Sequence, residues 1–356
     1  MRRRSFLRSS AAITGTTLLS GCLGRLGFET QSVWRDPPLV TDRPAAVYYP
    51  EIVEGMGMYG TTTDGDVGFA VMHSYPHRFW NVTGSRRSKV VVRPDDSIHL
   101  MATVWDLQTE TILPVDVSTE ISSTDGDSIS TNLWPMISPT MGFHYGDNIP
   151  LPGEKRYEIT FHVGPLQAHL TEPFRGRFTE PRSASMEFSF DTSETYNLEI
   201  RRLNELAGTR GTVDLEEMNG VPSPVAPKPE ALPGRVLDES QSGDATILTG
   251  LLVGQNRFRT NDGPFLYVSP RTPYNSVILP RMGLSATIKR DETTRFEKPL
   301  QASLDPELGP FYGVSLQEIR RGETVRISVD TPPQLARHDG YETAFIEMDS
   351  IEFTVE

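Results

Sequence analysis

The chain has 356 residues, with 34 Lys plus Arg against 47 Asp plus Glu, a formal charge of −13 and a pI near 5.1. No basic cluster follows its first eight residues, which excludes a protein that tracks nucleic-acid phosphates. A single Cys excludes an intrachain disulfide and thiolate-based zinc or iron–sulfur sites, while 29 Gly and 28 Pro argue for many turns and against a helical bundle.

The N-terminus reads as an export signal. Arg2-Arg3-Arg4-Ser5-Phe6-Leu7 precedes an uncharged stretch from Ser9 to Leu19, and Leu19-Ser20-Gly21-Cys22 closes it. That run is too short, and too rich in Ser, Thr and Gly, to span ~30 Å of hydrocarbon. The paired Arg resembles a twin-arginine signal, which carries folded cargo, and the closing residues resemble a lipobox. Residues 1–22 are therefore expected to be a Tat-type lipoprotein signal. Lipid on Cys22 would then hold the chain at the extracytoplasmic face of the cell membrane.

Residues 23–45 read as a polar tether containing Pro37, Pro38 and Pro44. From residue 46 to 202, short alternating apolar segments between turn residues predict an Ig-like antiparallel β-sandwich. A helical stretch is expected within 195–220. Pro222, Pro224, Pro227, Pro229 and Pro233 mark 203–242 as a semi-rigid linker. Alternation resumes over 243–356, predicting a second Ig-like sandwich. The fold class expected is all-β, two such domains joined by a Pro-rich linker.

The two domains look like copies. Gly142-Phe143-His144-Tyr145-Gly146 matches Gly309-Pro310-Phe311-Tyr312-Gly313 at an offset of 309 − 142 = 167, and Tyr157 to His162 falls on Glu323 to Ser328 at 166. Ile98 to Val104 matches Met282 to Ile288 by pattern. In this register His99 falls on Gly283, His144 on Phe311 and His162 on Ser328. Six of the seven His lie in the first domain. The second domain is thus expected to be a ligand-less copy used for docking or dimerisation, with His338 dispensable and a homodimer compatible with the sequence.

Side chains alternate along a strand. In Ser97 to Trp105 the apolar face is Ile98, Leu100, Ala102 and Val104, which puts His99 and Met101 together on the other. In Tyr157 to Val163, His162 likewise lies opposite Tyr157, Ile159, Phe161 and Val163. Between these strands, Trp134 to Asn148 is a Pro/Gly-rich loop with Met136, Met141 and His144. Imidazole with thioether is a donor set suited to copper, and imidazole also suits iron and zinc. The segment His73-Ser74-Tyr75-Pro76-His77 reads either as support for such a site or as an aromatic core with exposed imidazoles.

Met136…Met141…His144-Tyr145-Gly146-Asp147-Asn148, followed by Thr160-Phe161-His162, resembles the periplasmic copper-binding iron-transport lipoproteins, the ferrous iron transport protein family. Ile98-His99-Leu100-Met101-Ala102 resembles another of that family's strands. The match covers roughly residues 65–195. It implies a sandwich that holds copper, iron or both through His99, Met136, His144 and His162. Met101 stands where the family has Glu, and Met141 is an alternative to Met136 because the loop is one residue longer. Nearby Asp147 or Glu158 would restore an oxygen ligand. The resemblance further implies metal transfer to a membrane iron permease.

No Gly-x-Ser-x-Gly elbow, Walker loop or dinucleotide fingerprint occurs, and Cys22 is too near the N-terminus to serve a blue-copper centre. The expectation is a non-enzymatic, exported metal-binding protein taking part in iron acquisition. The alternative is a surface or adhesion lipoprotein of two Ig-like modules.

Overall fold

The computed structural model describes residues 37–254 and 263–356; the export signal, Cys22 and most of the tether lie outside these residues. No helix among the described residues is long and apolar enough to cross a membrane. The first half supplies β1 (Ile52–Glu54), β2 (Gly57–Asp64), β3 (Val67–Ser74), β4 (Phe79–Thr83), β5 (Arg86–Val90), β6 (Ile98–Asp106), β7 (Val117–Ser123), β8 (Ser128–Ser138), β9 (Gly142–Ile149), β10 (Lys155–Val163), β11 (His169–Leu170), β12 (Arg182–Phe190) and β13 (Ile200–Arg202). The second supplies β14 (Arg235–Ser242), β15 (Ala245–Leu252), β16 (Phe265–Arg271), β17 (Gly283–Arg290), β18 (Thr293–Pro299), β19 (Gln301–Asp305), β20 (Gly309–Ser315), β21 (Thr324–Thr331), β22 (Ala336–Arg337) and β23 (Ile351–Thr354). The fold is all-β, as the alternation predicts.

Each half is a pair of antiparallel sheets. In the first, β2-β3-β6-β9-β8 forms one sheet, and the early part of β8 continues into the other, β7-β10-β12. In the second, β14-β15-β16-β20-β19 faces β18-β17-β21-β23. The long β8 is replaced there by two strands, β18 and β19, broken at Leu300. Alternation sets the inner faces: Tyr157, Ile159, Phe161 and Val163 of β10 are buried, as are Val325 and Ile327 of β21. Each buried large apolar side chain contributes roughly 1.5–3 kcal/mol.

The order of strands makes the two halves a duplication, in one register throughout. The Tyr145 hydroxyl accepts from the Val115 amide at 2.8 Å, and the Tyr312 hydroxyl accepts from the Met282 amide at 2.7 Å, each across 30 residues. Isolated bridges Trp105↔Ile112 and Arg271↔Ile278 close equivalent corners. Phe178 and Phe345 both adopt left-handed backbone, at φ 54° and 55°. The strand matching β6 is therefore β16, and β17 matches β7. The apparent match of Ile98 to Val104 with Met282 to Ile288 is corrected: both are alternating strands, but they occupy different places in their sheets. His99 corresponds to Phe265, not Gly283.

Two further expectations change. Residues 235–242 of the expected linker form strand β14, paired with β15. The prolines before it lie against the second half: Ala226 donates to Ser276, Ile278 donates to Pro224, and Arg271 donates to the Pro227 carbonyl. Within 195–220 the α-helical part ends at Tyr196, in a single turn (Thr192–Tyr196) whose N-cap Asp191 accepts from the Ser193 amide at 2.7 Å.

The halves exchange short strands. β11 of the first pairs in parallel with β19 of the second, and β22 of the second pairs in parallel with β8 of the first. The following residues repeat the exchange, with Thr171 donating to Leu304 and His338 donating to Ile137. β22 also pairs with β4, so the face of β6 that carries His99 is covered rather than solvated.

Removing either tyrosine hydroxyl leaves a buried amide without its acceptor. Tyr145→Phe and Tyr312→Phe are each expected to cost about 1–3 kcal/mol, read as comparable shifts in the urea midpoint at unchanged slope. A difference of several-fold between them would contradict their equivalence.

Candidate metal centre

Four adjacent strands bring the site together. β6 presents His99, β8 presents Met136, β9 presents His144, and β22 leads directly into His338. The register sets Met136 opposite His144, and Ala336 opposite Met136. His77 arrives from the turn before β4. Ring centroids lie 4.1 Å apart for His77–His99, 4.6 Å for His77–His338, 5.3 Å for His99–His338 and 5.2 Å for His144–His338. One nitrogen from each of His77, His99 and His338 lies within 4.8 Å of the others. His99, His144 and Met136 are fully buried, and His338 nearly so.

The hydrogen bonds assign a tautomer to each ring. His99 Nδ1 donates to Asn148 Oδ1 at 2.9 Å, and His144 Nδ1 donates to the Gly142 carbonyl at 3.0 Å. His77 Nδ1 faces Glu54 Oε2 at 2.9 Å and the Tyr75 carbonyl at 2.8 Å, so it carries hydrogen. His77 Nε2 then accepts from His338 Nδ1 at 2.9 Å. The result is that His99, His144 and His338 each turn a lone pair on Nε2 inward, and all three Nε2 atoms are buried without a partner. An unpartnered buried polar atom costs about 1–3 kcal/mol, so three together are expected where a ligand completes them.

Gly146 makes room for that ligand. A Cβ there would stand 2.9 Å from both His99 Nε2 and Met136 Sδ, and 3.1 Å from the Leu100 carbonyl. Only glycine leaves the gap between nitrogen and sulfur open. Three imidazole nitrogens and one thioether form a neutral, soft-to-borderline donor set, which fits a transition metal and favours copper, Cu(I) above all. Asn148 also donates through Nδ2 to the His77 carbonyl, tying two of the rings to one side chain. Such outer partners fix ring orientation in metal sites.

Protonation follows burial. Burial pushes His144 down to about 4. His99 and His338 are held well below the usual imidazole range by burial, with nearby rings adding to it. His77 goes the other way: burial opposes its charge, but the Glu54 carboxylate, the Tyr75 carbonyl and Asp339 outweigh it and raise the pKa. The three donors are thus neutral at neutral pH, as ligation needs, and one cationic ring sits beside them.

Not every expected residue converges. His162 is corrected: it is exposed on β10, beside Ser183 Oγ at 3.3 Å, and borders a separate groove with Trp134. It shares a sheet face with Met136 but stands two strands away. Met141 is corrected as well: it packs in the main core, its amide donating to Ser138 Oγ. Met101 is buried and walls a small cavity beside the cluster, together with Glu54, His77 and His338. Glu158 is exposed, and Asp147 is engaged by Thr131 and the Asn148 amide. The carboxylate next to the cluster is instead Glu54.

His338 was expected to be dispensable, and the structure puts it at the centre. Its first-half counterpart is Thr171, so no repeat of a His marks it. The available signal was that the second half's lone His has no partner in the register. His77 was visible in its His-rich segment, whereas His73 from the same segment stacks on Tyr59 at 4.2 Å, away from the cluster.

Residues 107–200 match the family described as Fe2+ transport protein, in the N-terminal region that carries the resemblance. Residues 230–354 match a domain of unknown function (DUF7350). No curated protein matches the chain. Among solved structures, FetP of uropathogenic E. coli strain F11 aligns at 20% identity with a TM-score of 0.30, over 38% of this chain and 95% of its own. Copper-reconstituted P19 of Campylobacter jejuni aligns at 20% identity with a TM-score of 0.29, over 38% and 96%. His77, His99 and His338 lie outside the 107–200 match.

The depressed imidazoles make the metal-free fold sensitive to acid. Below the unfolded-state value of about 6.5 the unfolded chain binds protons that His99, His144 and His338 do not. Stability is expected to fall as pH drops from about 6.5 toward 4, by up to ~1.4 kcal/mol per pH unit for each of these rings. His77, with its raised pKa, acts in the opposite sense. Urea titrations at a series of pH values check this, and His144→Phe, which installs the residue found at Phe311, should flatten the slope. An unchanged slope in that variant would refute the buried, neutral His144.

Proposed function

We propose that this protein is an extracytoplasmic metal-binding protein, held at the membrane by lipid on Cys22, that takes part in iron acquisition or copper-assisted iron acquisition. The observation that carries this reading is the convergence of three unpartnered, buried Nε2 atoms and the Met136 sulfur on the space left by Gly146. Their chemistry asks for a cation with an affinity for nitrogen and sulfur.

The ion is cargo, and no covalent step is required. His99, His144, His338 and Met136 bind it, Asn148 and the Gly142 carbonyl orient two of the rings, and His77 with Glu54 provides a neighbouring charged pair. The Fe2+ transport family match over residues 107–200 supports a role in iron handling, with a membrane iron permease as the receiving partner. Copper is the ion that FetP- and P19-type structures bear in their titles, and it suits this donor set. The second half contributes His338, so it is a structural part of the site rather than a separate docking module.

Elemental analysis after incubation with copper, iron, zinc and manganese in competition tests the reading. The parent chain is expected to hold one transition-metal ion, with copper preferred. His99→Ala, His144→Ala and His338→Ala should each abolish stoichiometric binding, and Met136→Leu should weaken it. His162→Ala should leave it unchanged. Full metal content in the three alanine variants, or loss only in the His162 variant, would overturn the assignment.

A further inference from the structure

The cluster is sealed on almost every side, and its least covered members face one direction. His77, Glu54 and Asp339 keep side-chain exposures of 12%, 14% and 23%, whereas His99, His144 and Met136 keep none. On that side lies a cavity of about 60 Å³, walled by Glu54, His77, His338 and Asp339 and closed over by Pro37 and Pro50. That is room for a few waters.

Pro37 and Pro50 belong to the first described segment of the chain, which has no regular secondary structure up to Pro50 beyond one isolated bridge, Tyr48↔Arg210. The segment is fastened to the loop that carries His338. Arg78 is buried and grips Asp339 through two bonds, Nε to Oδ1 at 3.1 Å and Nη2 to Oδ2 at 2.5 Å, while its Nη1 donates to the Pro37 carbonyl. Farther along, Thr343 Oγ1 donates to the Ala46 carbonyl at 3.1 Å and the Tyr48 amide donates to the Gly340 carbonyl at 3.0 Å. Glu342 accepts from the Tyr48 hydroxyl at 2.7 Å and pairs with Arg43 at 3.3 Å.

We propose that residues 37–48 form a strap that governs exchange of the bound ion, with Arg78 as the positioning residue that clasps the strap to the His338 loop. The inference rests on the metal-binding reading above. The strap covers the only approach on which the cluster retains exposure among the described residues. Its fasteners all lie on the short stretch 339–343, immediately after a ligand. Loosening them opens the cavity and frees the loop together, so the rate of ion loss responds before the donor set does. Lids of this kind set exchange rates by their own opening, and the opening is drawn from segments with few buried contacts.

The test uses the full chain loaded with Cu(I) and the chelator bathocuproine disulfonate as acceptor, with amide hydrogen exchange on the metal-free chain as a second readout. Arg43→Gln combined with Thr343→Val, which removes two peripheral fasteners and leaves Glu342 its bonds to Tyr48 and Gly340, is expected to keep one copper per chain and release it about three-fold faster or more. Arg78→Gln should release it about ten-fold faster or more, with Arg78→Lys between the two. In the metal-free chain the amides of 37–48 and 339–343 should exchange faster together in each variant. Parental release rates with unchanged protection, in the double variant as in Arg78→Gln, would overturn the strap. Faster strap exchange with a parental release rate would also overturn it, since the strap would then be mere packing. Failure of the parent chain to bind copper would overturn the metal-binding reading and the strap with it, an outcome distinct from binding with unaltered release.

Discussion

The site depends on one insertion: two residues of the second half, β22, lodged between β4 and β8 of the first. Its geometry is fixed by Arg337, which is fully buried and donates to the carbonyls of Pro333, Ala344 and Phe345 at either end of its own loop. Burial, with Arg87 nearby, pushes its pKa down to about 9. A buried charge is tolerated only where hydrogen bonds replace its lost water. The loop cannot slide along β8 without stripping those bonds from the guanidinium, so the backbone of the next residue, His338, has one place to stand. The parallel pairing of Ala336 with Met136 does the rest by placing that residue beside the sulfur.

The duplication shows what the same architecture does without a ligand. In the register set by Tyr145 and Tyr312, His99, Met136, His144 and His338 correspond to Phe265, Ser303, Phe311 and Thr171. Gly146 corresponds to Gly313, whose added Cβ would strike the Phe265 ring at 2.4 Å. There the space is filled by carbon, Phe265 and Phe311 packing at 6.2 Å within a cluster that includes Leu248, Leu252 and Leu308. Thr171 satisfies itself on Asp305 at 2.5 Å. One chamber closes on itself through dispersion and apolar burial, and the other keeps three unmet nitrogens. The difference between a structural and a functional copy is thus concentrated in four side chains.

Much of this was legible in the chain. Alternation revealed the β class and the opposed faces of β6 and β10, and the Gly-aromatic repeat at 142–146 and 309–313 revealed the duplication. His99, His144 and Met136 could be named because they stand on one motif-bearing stretch whose period-2 pattern fixes their face. His162 obeyed the same pattern, but a face is not a place: alternation says which side of a sheet a residue occupies and nothing about how many strands separate it from another. The contribution of His338 was illegible for a different reason. Strand exchange between halves is a tertiary event, governed by a two-residue strand too short to carry a period, and the register that would have pointed to it was misread at Ile98 to Val104. The prolines before β14 misled through composition alone, since a Pro-rich segment packs as readily against a sheet edge as it spans a gap when its carbonyls find donors.

The exchange of β11 and β22 has a consequence for how such a centre responds to its surroundings. A chamber whose walls come from two separate polypeptides empties when those polypeptides are scarce, because assembly competes with dilution. Here both walls share one backbone, so each sees the other at a fixed effective concentration however few molecules are present. Symmetry is no longer enforced either: mutation can silence one chamber while sparing its twin, leaving a single ion-binding position in a molecule built from two equal parts.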